Sequence, residues 1–239
     1  MIKLGKRLEA LDALVDSSYD HIWDCCCDHG LLGMNLLARK AAPTVHFVDV
    51  AASLVESLNA KLTKHFVNGA QGSVTWQTHC ADAASLGLDK YSGKQLVIVA
   101  GVGGDLTLSI INKLYHKLKA WGKLGDVDFM LCPIRQNFQL RCGLREKLFK
   151  VKTEILIEEN QRIYEILILT ADQTLNELKT ITTTGEQIWL DANNPTNGTA
   201  RKYADLILSH YSKSALSGKA HALQALHAYQ ETIQLRILD

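Results

Sequence analysis

The apolar positions of this chain alternate between two periods. Leu4, Leu8, Leu11 and Leu14 recur at helical spacing, so residues 2–16 read as an amphipathic helix. Residues 21–26 are an apolar, β-prone run, and a helix-like segment follows over 29–40. Pro43 punctuates, and 44–49 reads as a second strand. Leu54, Leu58, Leu62 and Phe66 lay an apolar stripe along a helix over 51–67, which the run Asn68-Gly69-Ala70-Gln71-Gly72 breaks. Over 73–79, Val74, Trp76 and Thr78 alternate with Thr75, Gln77 and His79, the period of a strand. Residues 95–100 are continuously apolar after Gln95, as in a strand buried on both faces. The turn Gly101-Val102-Gly103-Gly104 leads into a helix with Leu106, Ile110, Leu114 and Leu118. Residues 127–132 read as a fifth strand closed by Pro133, and the region 138–149 as the next helix. Two more strand-like runs, 151–158 and 163–170, joined by 159–162, predict an antiparallel hairpin.

Strands alternating with helices predict an α/β fold, a largely parallel Rossmann-like sheet with helices on both faces. Beyond residue 170 the pattern changes. Residues 180–185 are polar and β-branched, and Asn193-Asn194-Pro195-Thr196-Asn197-Gly198 is a strong turn signal. Tyr203, Ile207 and Tyr211 mark one helix; Ala222, Leu226, Tyr229, Ile233 and Ile237 mark a second. The expected division is therefore a sheet domain over 1–170 and a small, mainly helical appendage over 171–239, too short for a core of its own. The three tail tyrosines read as helix packing.

Composition adds little to this. The chain has 239 residues, 47% hydrophobic, with a net charge of +1. No apolar run approaches the roughly 20 residues of a membrane span, and the first seven residues carry no signal core; the expectation is a cytoplasmic protein with no membrane partner. Charge distribution says more: residues 112–150 carry nine Lys or Arg against three acids. That is either a solvated pair of helix faces or a footprint for phosphates. The six cysteines contain no C-x-x-C pair. Neighbours on a strand point to opposite faces, so Cys25, Cys26 and Cys27 do not surround one tetrahedral ion; they read as small packing thiols, with no metal.

Chemistry-bearing residues gather where the strands end. Asp24 closes the first strand, Asp49 the second, Asp82 follows the third, and Gly101 and Gly103 follow the fourth. In a parallel sheet all of these lie along the carboxyl edge, where ligands bind. Their types suit S-adenosyl-L-methionine. Asp49 matches two ribose hydroxyls, and Asp82 with Ala83 the adenine. Asp24, with the backbone of Cys26 to Gly30 at a helix N-terminus, matches the methionine ammonium and carboxylate, beside Ala100 and Gly101. NAD is the competitor. It needs glycines where its pyrophosphate crosses the first turn, and Cys26 and Asp28 stand there instead.

Four segments carry a resemblance: Asp24-Cys25-Cys26-Cys27-Asp28-His29-Gly30; Ala100-Gly101-Val102-Gly103-Gly104; Cys132-Pro133 followed by Leu140-Arg141; and Ile163-Tyr164-Glu165-Ile166. In this order they resemble the bacterial tRNA (adenine-22-N1)-methyltransferase family, TrmK-like, over residues 3–170. Lys6-Arg7-Leu8 is similar to that family's short basic entry helix. The chain departs from the family pattern at Cys26, in place of glycine, at Val102, in place of methionine, and at Cys132 and Ile134 around Pro133. Its tail is also shorter than the long helical appendage of the family.

The resemblance implies a seven-stranded class I methyltransferase sheet, S-adenosyl-L-methionine as cofactor, and methylation of adenine N1 in tRNA. It makes Asp28 and His29 the catalytic candidates beside the cofactor. RNA would be held by positive charge, with Lys6, Arg7, Arg135, Arg141 and Arg145 as candidates. No Asn/Asp-Pro-Pro-Tyr motif follows the fourth strand, which disfavours exocyclic-amine methylation. The alternatives are the same chemistry on another RNA or a small molecule, or an RNA-binding relative without turnover.

Overall fold

The computed structural model describes residues 3–66, 74–190, 198–218 and 220–238. The break over 68–72, the first residue of the expected third strand and the turn over 193–197 lie outside them. Among the described residues, no helix is long and apolar enough to cross a membrane.

Seven strands form one sheet: β1 (His21–Cys25), β2 (Thr44–Asp49), β3 (Thr75–Cys80), β4 (Gln95–Ala100), β5 (Val127–Cys132), β6 (Lys150–Glu159) and β7 (Arg162–Thr170). Their spatial order is β3-β2-β1-β4-β5-β7-β6. The first five run parallel, and β7 is antiparallel to both β5 and β6. Helices α1 (Lys6–Ala13), α2 (Leu31–Ala38), α3 (Ala52–His65), α4 (Gly104–Ala120) and α5 (Asn137–Glu146) connect and cover them. The strand order reverses between β1 and β4, which opens a crevice at their carboxyl ends. The two-residue turn Asn160-Gln161 has φ of +50° and +63°, the left-handed pair that matches hairpin twist.

Alternation along each strand divides the core. Trp23, Val97, Phe129 and Leu169 face α4 and α5, packing on Ile110, Leu114 and Leu144. Ile22, Leu96, Ile98 and Met130 face α1 and α2, packing on Leu11, Leu32 and Leu36. Asp24 shares parity with Ile22, and so lies on the α2 side. The entry helix is shorter than the predicted 2–16: Gly5 begins it with extended backbone and the chain leaves it at Leu14.

The tail begins on the sheet rather than apart from it. Val151 N donates to Lys179 O at 2.9 Å and Ile181 N to Phe149 O at 2.8 Å, so this segment covers the edge of β6. Helices α6 (Thr199–Leu216) and α7 (Ala220–Ile233) then pair with each other. Tyr203, Tyr211 and Tyr229 are all buried there, against Trp189 and against Phe138 of α5. α7 continues into a π-helical turn, Gln234–Leu238.

Candidate active site

β1 delivers Asp24 to the crevice. Gly33 N donates to Asp24 Oδ2 at 2.9 Å. A Cβ on residue 33 would stand 2.9 Å from that oxygen and 2.9 Å from Phe47 Cδ1, so only glycine lets α2 come this close. The sequence reading passed over Gly33; its signal is a glycine inside a helix nine residues after a strand-end acid. Burial raises the Asp24 pKa to about 7; the Gly33 amide opposes that rise and the Asp49 charge adds to it.

The turn after β1 is left-handed at three residues: Cys26 (φ +57°), Asp28 (φ +50°) and Gly30 (φ +69°). That conformation costs a residue with a Cβ about 1–2 kcal/mol. Cys26 therefore holds the backbone shape that glycine holds by default. Hydrogen bonds support it. Cys27 N donates to Val48 O at 3.2 Å, and Gly30 N to Cys27 O at 2.7 Å. Asp28 N donates to Asp49 Oδ2 at 3.1 Å, and Ala51 N to Asp49 Oδ1 at 3.0 Å. Each Asp49 oxygen keeps a further lone pair for a ligand.

A cavity of about 240 Å³ opens here. Asp24, Cys26, Asp28 and His29 line one side, and Ala100, Gly101 and Val102 another. Arg7 and Leu8 of α1, Cys27, and Leu31 and Leu32 of α2 complete it. Asp28 and His29 sit at its mouth, 3.8 Å apart and both more than 60% exposed. Cys26 and Cys27 are thus wall residues as well as packing thiols. Burial raises both thiol pKa values, Cys26 to about 11, which keeps them neutral.

The remaining expected cofactor residues stand around the cavity, outside its lining. Gly30 precedes α2 and donates back into the turn. Asp82 caps a short 3₁₀ turn, Ala83–Ser85, accepting from Ala84 N at 2.9 Å, and lies 4.0 Å from Lys113 Nζ. Ala83 is buried in the core. Gly103 gives room to the β5–α5 loop: a Cβ there would meet Gln136 Oε1 at 3.0 Å. Among the described residues, no group of three or more His, Cys, Asp or Glu has metal-holding geometry.

The expected RNA residues separate. Lys6, Arg135 and Arg145 are exposed. Arg7 turns into the cavity wall, its guanidinium carbon 5.1 Å from the Tyr164 ring centroid. Its Nε is enclosed with no hydrogen-bond partner. Arg141 is a correction: it is fully buried and cannot meet RNA. It donates through Nε to Glu165 at 2.6 Å and through Nη2 to Glu154 at 2.8 Å. Its position on α5 faces the β6–β7 hairpin, and two buried carboxylates hold it there. The basic stretch over 112–150 is likewise no continuous face. Lys117, Lys123 and Lys150 spend their ammonium groups on carbonyls of Ala84, Asp89 and Leu175.

Residues 4–167 match the methyltransferase domain family. By sequence alone, no curated protein matches the chain. Several solved structures share its fold. TrmK from M. capricolum, in complex with S-adenosyl-homocysteine, is 15% identical, with a TM-score of 0.71, over 98% of this chain and 99% of that one. A Streptococcus pneumoniae protein in complex with S-adenosyl-L-methionine is 20% identical, with a TM-score of 0.67, over 96% and 99%. The B. subtilis M1A22 tRNA methyltransferase TrmK is 19% identical, with a TM-score of 0.65, over the whole of both chains. The expected shortness of the tail is therefore a correction: this chain runs the length of these structures. With a family match across the sheet and the crevice residues in place, the chain belongs to the methyltransferase domain family.

Proposed function

We propose that the protein is an S-adenosyl-L-methionine-dependent methyltransferase that methylates N1 of an adenine in tRNA, adenine-22. The observation that carries the cofactor reading is the pairing of opposite charges across one small cavity. Asp24 offers a buried carboxylate to an ammonium. Arg7 lines the same cavity and offers its guanidinium to a carboxylate. An amino-acid end needs both. Asp49 serves the ribose through its outer lone pairs, and Asp82 with Ala83 serves the adenine further along the edge. The left-handed Cys26 leaves the turn open to the methionine end. This favours a working enzyme over an RNA-binding relative without turnover.

When bound, S-adenosyl-L-methionine supplies an electrophilic methyl on a sulfonium. Asp24, Arg7 and Asp49 would hold it to present that methyl to the adenine N1 lone pair, with the C–S electron pair passing to sulfur and the product ring becoming cationic. No proton has to leave first, and positioning carries most of the catalysis. Asp28 at the mouth offers a carboxylate to that developing positive charge. His29 beside it offers ring nitrogens to the base. The tRNA and the position within it rest on the motif resemblance and on the fold shared with the B. subtilis M1A22 tRNA methyltransferase TrmK and with the S. pneumoniae protein described as a tRNA (m1A22) methyltransferase.

The test is methyl transfer from labelled cofactor to unmodified tRNA, with nucleoside analysis of the product. N1-methyladenosine at position 22 supports the proposal. Turnover at another nucleotide, or on a small molecule only, replaces the substrate half of it. A folded protein that does not bind S-adenosyl-L-methionine in calorimetry removes both halves.

A further inference from the structure

A second concavity, about 260 Å³, lies between the sheet domain and the paired helices α6 and α7. Arg135, Gln136 and Gln139 form the bank on the β5–α5 side, and His210, Ser214 and His221 the bank on the helices. Three features set it apart from the rest of the surface. No carboxylate lines it, and Arg135, His210, Ser214 and His221 bring hydrogen-bond donors to it, while Gln136 Nε2 is already engaged by Asp105. Arg135, His210 and His221 are exposed, so their heads are open to solvent. Gln139 Oε1 is enclosed without a hydrogen-bond partner, which fixes an unmet acceptor in the floor.

Its position relates it to the cofactor cavity. Ile134 N donates to Val102 O at 2.9 Å, and Gly104 N to Arg135 O at 2.9 Å. The short segment after Pro133 is thus clamped onto the turn after β4. Val102 of that turn lines the cofactor cavity, while Arg135 lines the groove. One thin wall therefore separates the two. The Val102 turn and the Arg135 backbone are neighbours, the first facing the cavity and Arg135 the groove.

We propose that this groove is a phosphate-binding subsite for the RNA backbone flanking the target base, with Arg135, His210 and His221 as its contacts. It rests on the tRNA reading and adds to it a place on the helical tail. Arg135 supplies a fixed cation. The two imidazoles and Ser214 supply hydrogen-bond donors to phosphate oxygens.

The experiment measures binding of an unmodified tRNA transcript to the full chain by fluorescence anisotropy, between 50 and 300 mM salt. It compares wild type with Arg135→Ala, with His210→Ala/His221→Ala, and with His221→Glu, which introduces a carboxylate. The histidine variants are on exposed positions, and calorimetry with S-adenosyl-L-methionine checks that each variant is folded and loads cofactor normally. The expected result is a loss of tRNA affinity of roughly fivefold or more in each, largest for His221→Glu. For Arg135→Ala the slope of log affinity on log salt should fall by about one, as for one lost phosphate contact. Wild-type affinity and slope in all three variants overturn the subsite and leave the tRNA methyltransferase reading standing. A wild type that binds no tRNA overturns both.

Discussion

Arg141 Nε donates to Glu165 Oε2 at 2.6 Å, and neither side chain has any exposure. The pair is the centre of a larger network. Arg141 also reaches Glu154 at 2.8 Å and Thr182 O at 3.2 Å, and Tyr203 of α6 donates to the second oxygen of Glu165. Glu154 in turn accepts from the amides of Glu186 and Gln187. One guanidinium thus ties α5, the β6–β7 hairpin, the segment before α6 and α6 itself. Removing it leaves two buried carboxylates without their cation. Arg141→Ala should cost about 3–5 kcal/mol, as for a broken buried pair. Urea unfolding measures this, and limited proteolysis should show early cleavage beyond residue 170. A loss below about 1 kcal/mol would mean that the network relaxes around the gap.

Cys26 carries a φ of +57°, in the left-handed region that glycine reaches without strain. Cys26→Gly relieves about 1–2 kcal/mol of backbone strain. It gives back about 0.4–1 kcal/mol through the freer unfolded chain. Net stability should stay within about 1 kcal/mol of wild type, with cofactor affinity retained. Cys26→Val should do the opposite, because a β-branched side chain resists this conformation most. Its melting temperature should drop by several degrees and its cofactor affinity by tenfold or more. Thermal melts and calorimetry on the two variants decide the matter; equal behaviour would show that the turn's shape is not set by residue 26.

These two residues also mark how far the sequence could be read. β2, β4 and β5 were legible to the residue, since each is a short, mainly apolar run bounded by breakers. The crevice acids were legible because a parallel sheet puts its strand ends on one edge. Arg141 was not. A lone arginine on an amphipathic helix reads as solvent-facing, and its partners lie 13 and 24 residues away on two strands. The available hint was the reverse one: Glu154 and Glu165 interrupt apolar strands, and buried carboxylates require a cation. The direction of Arg7 was not legible for a related reason. Its direction depends on how α1 docks over Tyr164, which no local pattern encodes. Gly33 was missed because its role is steric, a clearance from Phe47 and Asp24 that exists only once α2 lies on the sheet.

Trp23 stacks on His46 at 3.7 Å between ring centroids, and His46 shares hydrogen bonds with His21 and His79, each at 3.1 Å. Burial, with smaller contributions from His79 and His21, lowers the His46 pKa from 6.5 to about 3. Burial lowers His21 and His79 as well. A histidine depressed in the folded state leaves stability intact above its unfolded value. As pH falls below about 6.5 the unfolded chain takes up protons that the folded chain refuses, so stability is lost from there down toward 3. His46 alone contributes a slope of about 1.4 kcal/mol per pH unit. Urea unfolding at pH 7, 6 and 5 should show steep acid destabilisation. His46→Gln should be less stable at pH 7 but flatter by about one proton. An unchanged slope would move the acid sensitivity to the flanking histidines.

Asp24 makes the cofactor reading testable without any RNA. Burial raises its pKa to about 7, against the Gly33 amide and with the help of the Asp49 charge. An ammonium ligand pairs with the ionised carboxylate only. Below pH 7 binding must therefore first expel a proton, and affinity should fall by about tenfold per pH unit from 7 to 5, since one unit is worth about 1.4 kcal/mol. The cofactor's own ammonium stays protonated across that window, so the slope belongs to the protein. Calorimetry at pH 6 in two buffers of different ionisation enthalpy should register close to one proton released per cofactor bound. Asp24→Asn should bind more weakly at pH 7, release no proton and show a flat profile. His29 lines the same cavity at its mouth, and His29→Gln should leave the slope in place. If the wild-type affinity is level from pH 7 to 5, Asp24 does not hold the ammonium. The buried carboxylate would then serve only to fix α2 through Gly33, and the polarity of the cofactor in the cavity would have to be reassigned.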